Sequence, residues 1–208
     1  MFTEMTDRSY TLKKRAESQE ATRRKIVEAT MELHETLGPA NTTISAVAER
    51  AGVQRLTVYR HFPDETALFQ ACTSHWLSLN PPPDPGEWAG IEDRMERCRI
   101  ALTRLYAYFR ATRAMWRVSY RDVGQVPALQ GPMRQVADYL EGIAEALASG
   151  WTPQSGPRKR LTATLHHAVQ FSTWTSLAGQ GLSDEQAVAL VQAWTSGLSP
   201  PADATDNG

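Results

Sequence analysis

Gln54, Arg55, Thr57, Tyr59, Arg60 and His61 crowd six hydrogen-bonding side chains into one short stretch. Amide, guanidinium, hydroxyl and imidazole groups at that density suit the phosphate oxygens and base edges of a nucleic acid duplex. Catalytic chemistry finds no comparable concentration. The chain contains no GxSxG elbow, P-loop, HExxH or GxGxxG, and Gly179-Gln180-Gly181 lacks the third glycine. Cys72 and Cys98 do not have the spacing of a zinc ribbon or a redox pair. His166 and His167 are adjacent, so on a helix they point about 100° apart, and no His, Cys, Asp or Glu follows at metal-ligand spacing. No catalytic residue, metal or cofactor is therefore expected.

The donors must be held by the elements around them. Gly52 permits a tight turn, Val53 packs beneath it, and Ala48 and Val58 are small or β-branched where two short helices would cross. Thr43 can cap the first of these helices, with Ile44, Val47, Ala48 and Ala51 as its apolar stripe. The second, from about Gln54 to His61, is too short to be stable alone. A longer helix from about Ser18 to Leu37 precedes them, stopped by Gly38-Pro39. This is the layout of a helix-turn-helix, whose second helix enters the major groove. Asp64 opens a further helix, and Asn80-Pro81-Pro82-Pro83-Asp84-Pro85-Gly86 interrupts the helical pattern.

Beyond the prolines the periodicity stays helical. It predicts helices over residues 90–121 (with a break near Thr112), from Leu129 to near Gly150, over Arg158–Gly179 and over Ser183–Leu198. The last of these opens with a Ser183-x-x-Gln186 capping box. The fold class is all-α: an N-terminal three-helix DNA-binding domain plus a larger helical bundle for regulation and dimerisation. The expected boundaries are a flexible basic arm at 1–18, the helix-turn-helix domain at 19–63, a ligand-sensing and dimerisation domain at 64–198, and a disordered tail at 199–208.

Thr43, Val47-Ala48, Ala51-Gly52-Val53, Thr57-Val58-Tyr59, His61-Phe62 and Ala67-Leu68-Phe69 resemble the amino-terminal signature of TetR-family transcriptional regulators. The resemblance is close over residues 21–70. Phe171-Ser172-Thr173-Trp174 and Gly181-Leu182-Ser183 extend it loosely over the rest of the chain. It implies a homodimer on a palindromic operator, most simply a repressor that releases DNA when a small molecule binds the larger domain. It also implies that Thr43, Thr57, Tyr59 and His61 hold phosphates, while Ser45, Arg55, Leu56 and Arg60 fall where base-edge or variable contacts are made. Gln54 completes the DNA-binding set, and Arg55 suits the paired O6 and N7 acceptors of guanine.

Three positions depart from the family pattern. Glu65 stands where a phosphate-contacting lysine is usual, His34 where an aromatic residue packs the first helix, and the chain starts early with Lys13-Lys14-Arg15 in its arm. The alternative is a helical small-molecule-binding protein or enzyme without specific DNA binding.

Charge alone does not announce a polyanion partner, since 22 basic residues face 23 acidic ones. The charges are segregated, however. Residues 1–62 hold ten basic and eight acidic side chains, 63–93 hold six acids and no Lys or Arg, and 94–121 hold eight arginines and one acid. Local basic surface matters more than the total. The MFTEMTDRSY start does not resemble a signal peptide and no apolar run is long enough for a membrane span, so a cytoplasmic protein without membrane association is expected.

In the larger domain, Phe109, Trp116, Tyr120, Tyr139, His167, Phe171 and Trp174 are candidates to line a pocket for an apolar or aromatic effector, or else to pack a core. Arg110, Arg113, Arg117 and Arg121 share one helix face, expected to pair with the acids of 63–93 or to meet an acidic ligand. Small residues such as Ala163, Ala168 and Ser172, and the stripe Ala187, Leu190, Val191, Trp194 and Leu198, suit a homodimer seam across residues 158–198.

Overall fold

A computed structural model describes residues 3–149 and 155–198. Ten α-helices and one short 3₁₀ turn make up the architecture of these residues. They divide into two compact units, Met1–Asn80 with Arg117–Pro132, and Pro81–Trp116 with Met133–Gly208. The first unit thus takes in more chain than the expected 19–63.

In the first unit, α1 (Thr3–Leu37) begins well before the expected Ser18. The basic arm is therefore a continuation of that helix from Thr3 onward. Thr22 back-bonds to the Ser18 carbonyl at 2.9 Å, and no glycine or proline interrupts the run. Gly38 ends it at φ +91°, a left-handed value favoured by glycine. A 3₁₀ turn (Pro39–Asn41) then leads to α2 (Ile44–Ala51), α3 (Arg55–His61) and α4 (Glu65–Leu79). Ile26, Val27, Val47, Ala48, Val58, Phe62 and Leu68 form the shared core. Ile26 and Val58 are fully buried and Phe62 is 2% exposed, so truncating Phe62 to Ala would cost about 3–5 kcal/mol.

The last turn of α6 (Arg94–Asp122) is part of the same unit. Arg121 donates to the Leu37 carbonyl at 2.8 Å, and the buried Asp122 carboxylate accepts from the Ala40 amide at 3.0 Å. These bonds satisfy the last carbonyl of α1 and an amide of the 3₁₀ turn that follows it. A Cβ on residue 38 would collide with the Arg121 guanidinium and the Asp122 carboxylate, a second reason for glycine there.

The second unit starts with a short helix, α5 (Gly86–Ala89), that hides Trp88. Tyr139 donates to the Pro83 carbonyl at 2.6 Å, tying the proline segment to α7 (Pro127–Ser149). The long α6 runs unbroken through Thr112, contrary to expectation. The Thr112 hydroxyl bonds the Tyr108 carbonyl one turn back and accepts from Trp116 at 2.9 Å, all within a continuing helix.

The expected single helix over 158–179 is two, α8 (Ser155–Ala168) and α9 (Phe171–Gly179), and the first begins earlier than expected. Three side chains take the carbonyls released at the break. Gln170 bonds His166, Thr173 bonds His167, and buried Tyr106 bonds Ala168, at 3.0, 2.5 and 2.8 Å. The last helix, α10 (Asp184–Ser196), opens with the expected reciprocal Ser183–Gln186 box. Trp151 and the tail at 199–208 lie outside the described residues.

Candidate nucleic-acid interface

Local rules build the motif. The Thr43 hydroxyl accepts the Ala46 amide at 3.1 Å and starts α2. Gly52 adopts φ 66°, ψ 36° and ends it, while the Val53 amide returns to the Ala48 carbonyl at 2.9 Å. Gln54 is extended and launches α3. Two positions a helical turn apart, Val58 and Phe62, anchor α3 and the residue that follows it to the core, and the Arg23 guanidinium lies 4.5 Å over the Phe62 ring.

With that side fixed, the opposite side of α3 faces out. Leu56 is 78% exposed and Tyr59 42%. Thr43, Ser45, Gln54, Arg55 and Arg60 are exposed as well, and Thr57 and His61 are half-buried. All nine predicted DNA-contacting residues therefore lie on α2, α3 and their caps, and none is buried. Helix α3 carries Arg55, Arg60 and His61 and no acid, so its field suits phosphate.

The departures have visible consequences. Glu65 is exposed in the first turn of α4 beside Asp64, whose carboxylate caps the Ala67 amide at 2.7 Å. One carboxylate thus stands at the position where the family pattern has lysine, with a second beside it capping the helix. His34 is 8% exposed, its ring centroid 5.1 Å from that of Phe69 and its Nδ1 3.6 Å from the Cys72 sulfur. Imidazole fills the aromatic position between α1 and α4. Burial pushes its pKa from 6.5 down to about 4, partly opposed by the Asp122 charge, and pushes the Cys72 thiol up to about 12.

The candidate pocket residues part company. Phe109, Trp116, Phe171 and Trp174 lie within a few per cent of full burial, with ring centroids 5.4–6.5 Å apart. They close upon one another as a packed aromatic cluster. Tyr139 is bound to Pro83 instead, Tyr120 is 39% exposed in the first unit, and His167 is exposed. The arginine face also differs from expectation. Arg110 forms a bidentate pair with Asp184, both bonds at 2.7 Å, and Arg121 pairs with its neighbour Asp122, so neither takes its carboxylate from 63–93. Arg104, outside the expected set, pairs with Glu87 at 2.8 Å. His166 pairs with Glu145 at 3.1 Å.

Comparison with known proteins adds an independent line. Residues 26–72, from the middle of α1 into α4, match the family described as bacterial regulatory proteins, tetR family. The helix-turn-helix segment is thus that of the TetR family. The HTH-type transcriptional regulator SrpR of Pseudomonas putida is 28% identical to this chain over 199 residues, 91% of each. A second Pseudomonas putida protein, the uncharacterised HTH-type transcriptional regulator TtgW, is 32% identical over 93 residues, 43% of this chain and 66% of its own.

Among solved structures, a TetR-like transcriptional regulator from Rhodococcus sp. RHA1 superposes with a TM-score of 0.58 at 20% identity, covering 84% of this chain and 93% of its own. A TetR transcription regulator from Haloarcula marismortui gives 0.57 at 15% identity, covering 86% and 97%. At such identities these two establish the fold alone. Together these comparisons support a TetR-family transcriptional regulator, and the described residues form an all-α fold with an N-terminal helix-turn-helix.

The clasp that steadies this motif joins residues more than 80 positions apart, beyond the reach of local pattern. Arg121 lies on the face expected to pair with the acids of 63–93 or to meet an acidic ligand, yet it and Asp122 together bond Leu37 and Ala40. The Arg-Asp dipeptide at the end of a helical pattern is the one local signal for it.

Proposed function

We propose that the protein is a ligand-released repressor that binds a palindromic operator as a homodimer. The carrying observation is α3, whose buried Val58 and adjoining Phe62 leave Arg55, Leu56, Tyr59 and Arg60 facing outward. In a dimer, two copies of α3 would enter successive major grooves, with half-sites about 34–36 Å apart. Thr43, Thr57, Tyr59 and His61 would hold phosphates, and Ser45, Gln54, Arg55, Leu56 and Arg60 would reach base edges. DNA binding is assigned to 19–63, and sensing and pairing to 64–198.

Residues 158–198 would form the dimer seam. The support is partial: Ala163 and Ser172 are exposed and small, and Leu190 and Trp194 are half-buried, while Ala168, Ala187 and Val191 are already buried within the chain. The effector would be apolar or aromatic. Admission to the cluster of Phe109, Trp116, Phe171 and Trp174 requires those rings to part, since they fill the space themselves. Among the described residues no helix is long and apolar enough to cross a membrane, consistent with a cytoplasmic site of action. Selection from randomised duplex tests the function: one palindromic consensus is expected, and an absence of enrichment overturns it. Quenching of tryptophan emission in a small-molecule screen, coupled to loss of the selected complex, tests the release step.

A further inference from the structure

We propose that Leu56 reads the 5-methyl group of a thymine in each half-site. This rests on the DNA-binding function above and names the chemistry of one contact within it.

Leu56 is the most exposed of the large apolar side chains among the described residues, at 78%, against 58% for Leu79 and 46% for Leu37. Its place on α3 gives that exposure meaning. Successive helix residues turn by about 100°, so Val58 and Phe62 share the buried side, while Leu56 and Arg60, also four apart, share the side opposite. Leu56 therefore stands at the centre of the outward face, one turn before an arginine and with Arg55 beside it. No carboxylate lies on this helix, so its charge complements a polyanion.

The other outward groups, from Gln54 to His61, bond to oxygen and nitrogen, and an isobutyl group cannot. The floor of the major groove offers one apolar group among the four bases, the thymine C5-methyl. A leucine seated there excludes water from that methyl and recovers the apolar burial forgone in the free protein. The side chain is short, so the contact forms only when α3 is fully inserted. It therefore contributes to specific binding and not to the loose, charge-driven complexes that precede it.

The test uses the full chain and the duplex it selects. Each thymine of a half-site is replaced in turn by deoxyuridine, which removes the methyl and keeps every hydrogen-bonding group. At one thymine the wild-type protein should bind about fourfold more weakly per half-site, the effect of one buried methyl-sized group. Leu56→Gln should bind thymine and deoxyuridine duplexes equally, and Leu56→Met, which keeps an apolar chain, should retain the difference. Both changes lie outside the core and leave folding intact. Wild-type indifference to the methyl at every thymine overturns the assignment, as does a Leu56→Gln variant that keeps the full difference. Failure to select any sequence overturns DNA recognition itself, a result separate from a selected operator that lacks methyl dependence.

Discussion

On an exposed first turn a guanidinium keeps its donors for whatever enters the groove, and Arg55 holds that place in α3. Arg55→Ala should cost about 1–3 kcal/mol of operator affinity and relax the preference at one base pair, visible as a degenerate column in a repeated selection. A buried imidazole behaves in the opposite way, since it folds best uncharged. His34 is held neutral down to about pH 4, whereas an unfolded histidine protonates near 6.5. Its contribution is complete above pH 6.5 and is lost as pH falls toward 4, a span worth on the order of 3 kcal/mol. Only one of its two neighbours modifies that slope. The Cys72 thiol beside the ring stays protonated throughout, and Asp122, kept ionised by the Arg121 bond, attracts the proton to His34 and weakens the effect. His34→Phe should flatten stability between pH 6.5 and 4 in urea titrations. An unchanged slope would place the acid sensitivity elsewhere.

At the scale of elements, α1 projects Lys13, Lys14 and Arg15, all exposed, on a rod continuous with the helix that packs the motif. Deleting residues 1–17 should lower the slope of log affinity against log salt by about 0.9 for each phosphate contact removed. An unchanged slope would leave the arm outside the complex. How far each element could be foreseen follows from where its determinants lie. Thr43, Gly52 and the Ser183–Gln186 box act within a few residues of themselves, so their spelling marks α2, its turn and α10 in advance. The outward set on α3 was legible for the same reason, as Val58 and Phe62 fix its rotation. The break between α8 and α9 has no glycine or proline to signal it. It depends on Tyr106, 62 residues away, to take up the Ala168 carbonyl. The aromatic cluster shows the same limit. Composition supplied the rings, but only packing could tell that four of them meet while Tyr120, Tyr139 and His167 do not.

Over the whole molecule, the first unit is discontinuous along the chain, and Asp122 is a distant stitch within it, bonded to an amide 82 residues earlier. Asp122→Ala would leave the Ala40 amide and the Arg121 guanidinium without this acceptor. A loss of about 1–3 kcal/mol is expected in chemical denaturation, with weaker operator binding because the turn leading into α2 loosens. Wild-type stability in that variant would reduce the clasp to a surface pair. The stitch also sets an order of events during synthesis. A ribosome must extrude α6 to its final turn before Asp122 can reach Ala40, so a nascent chain bearing only α1–α4 lacks part of its support. The surface around α3 thus matures after more than half of the polypeptide has been made.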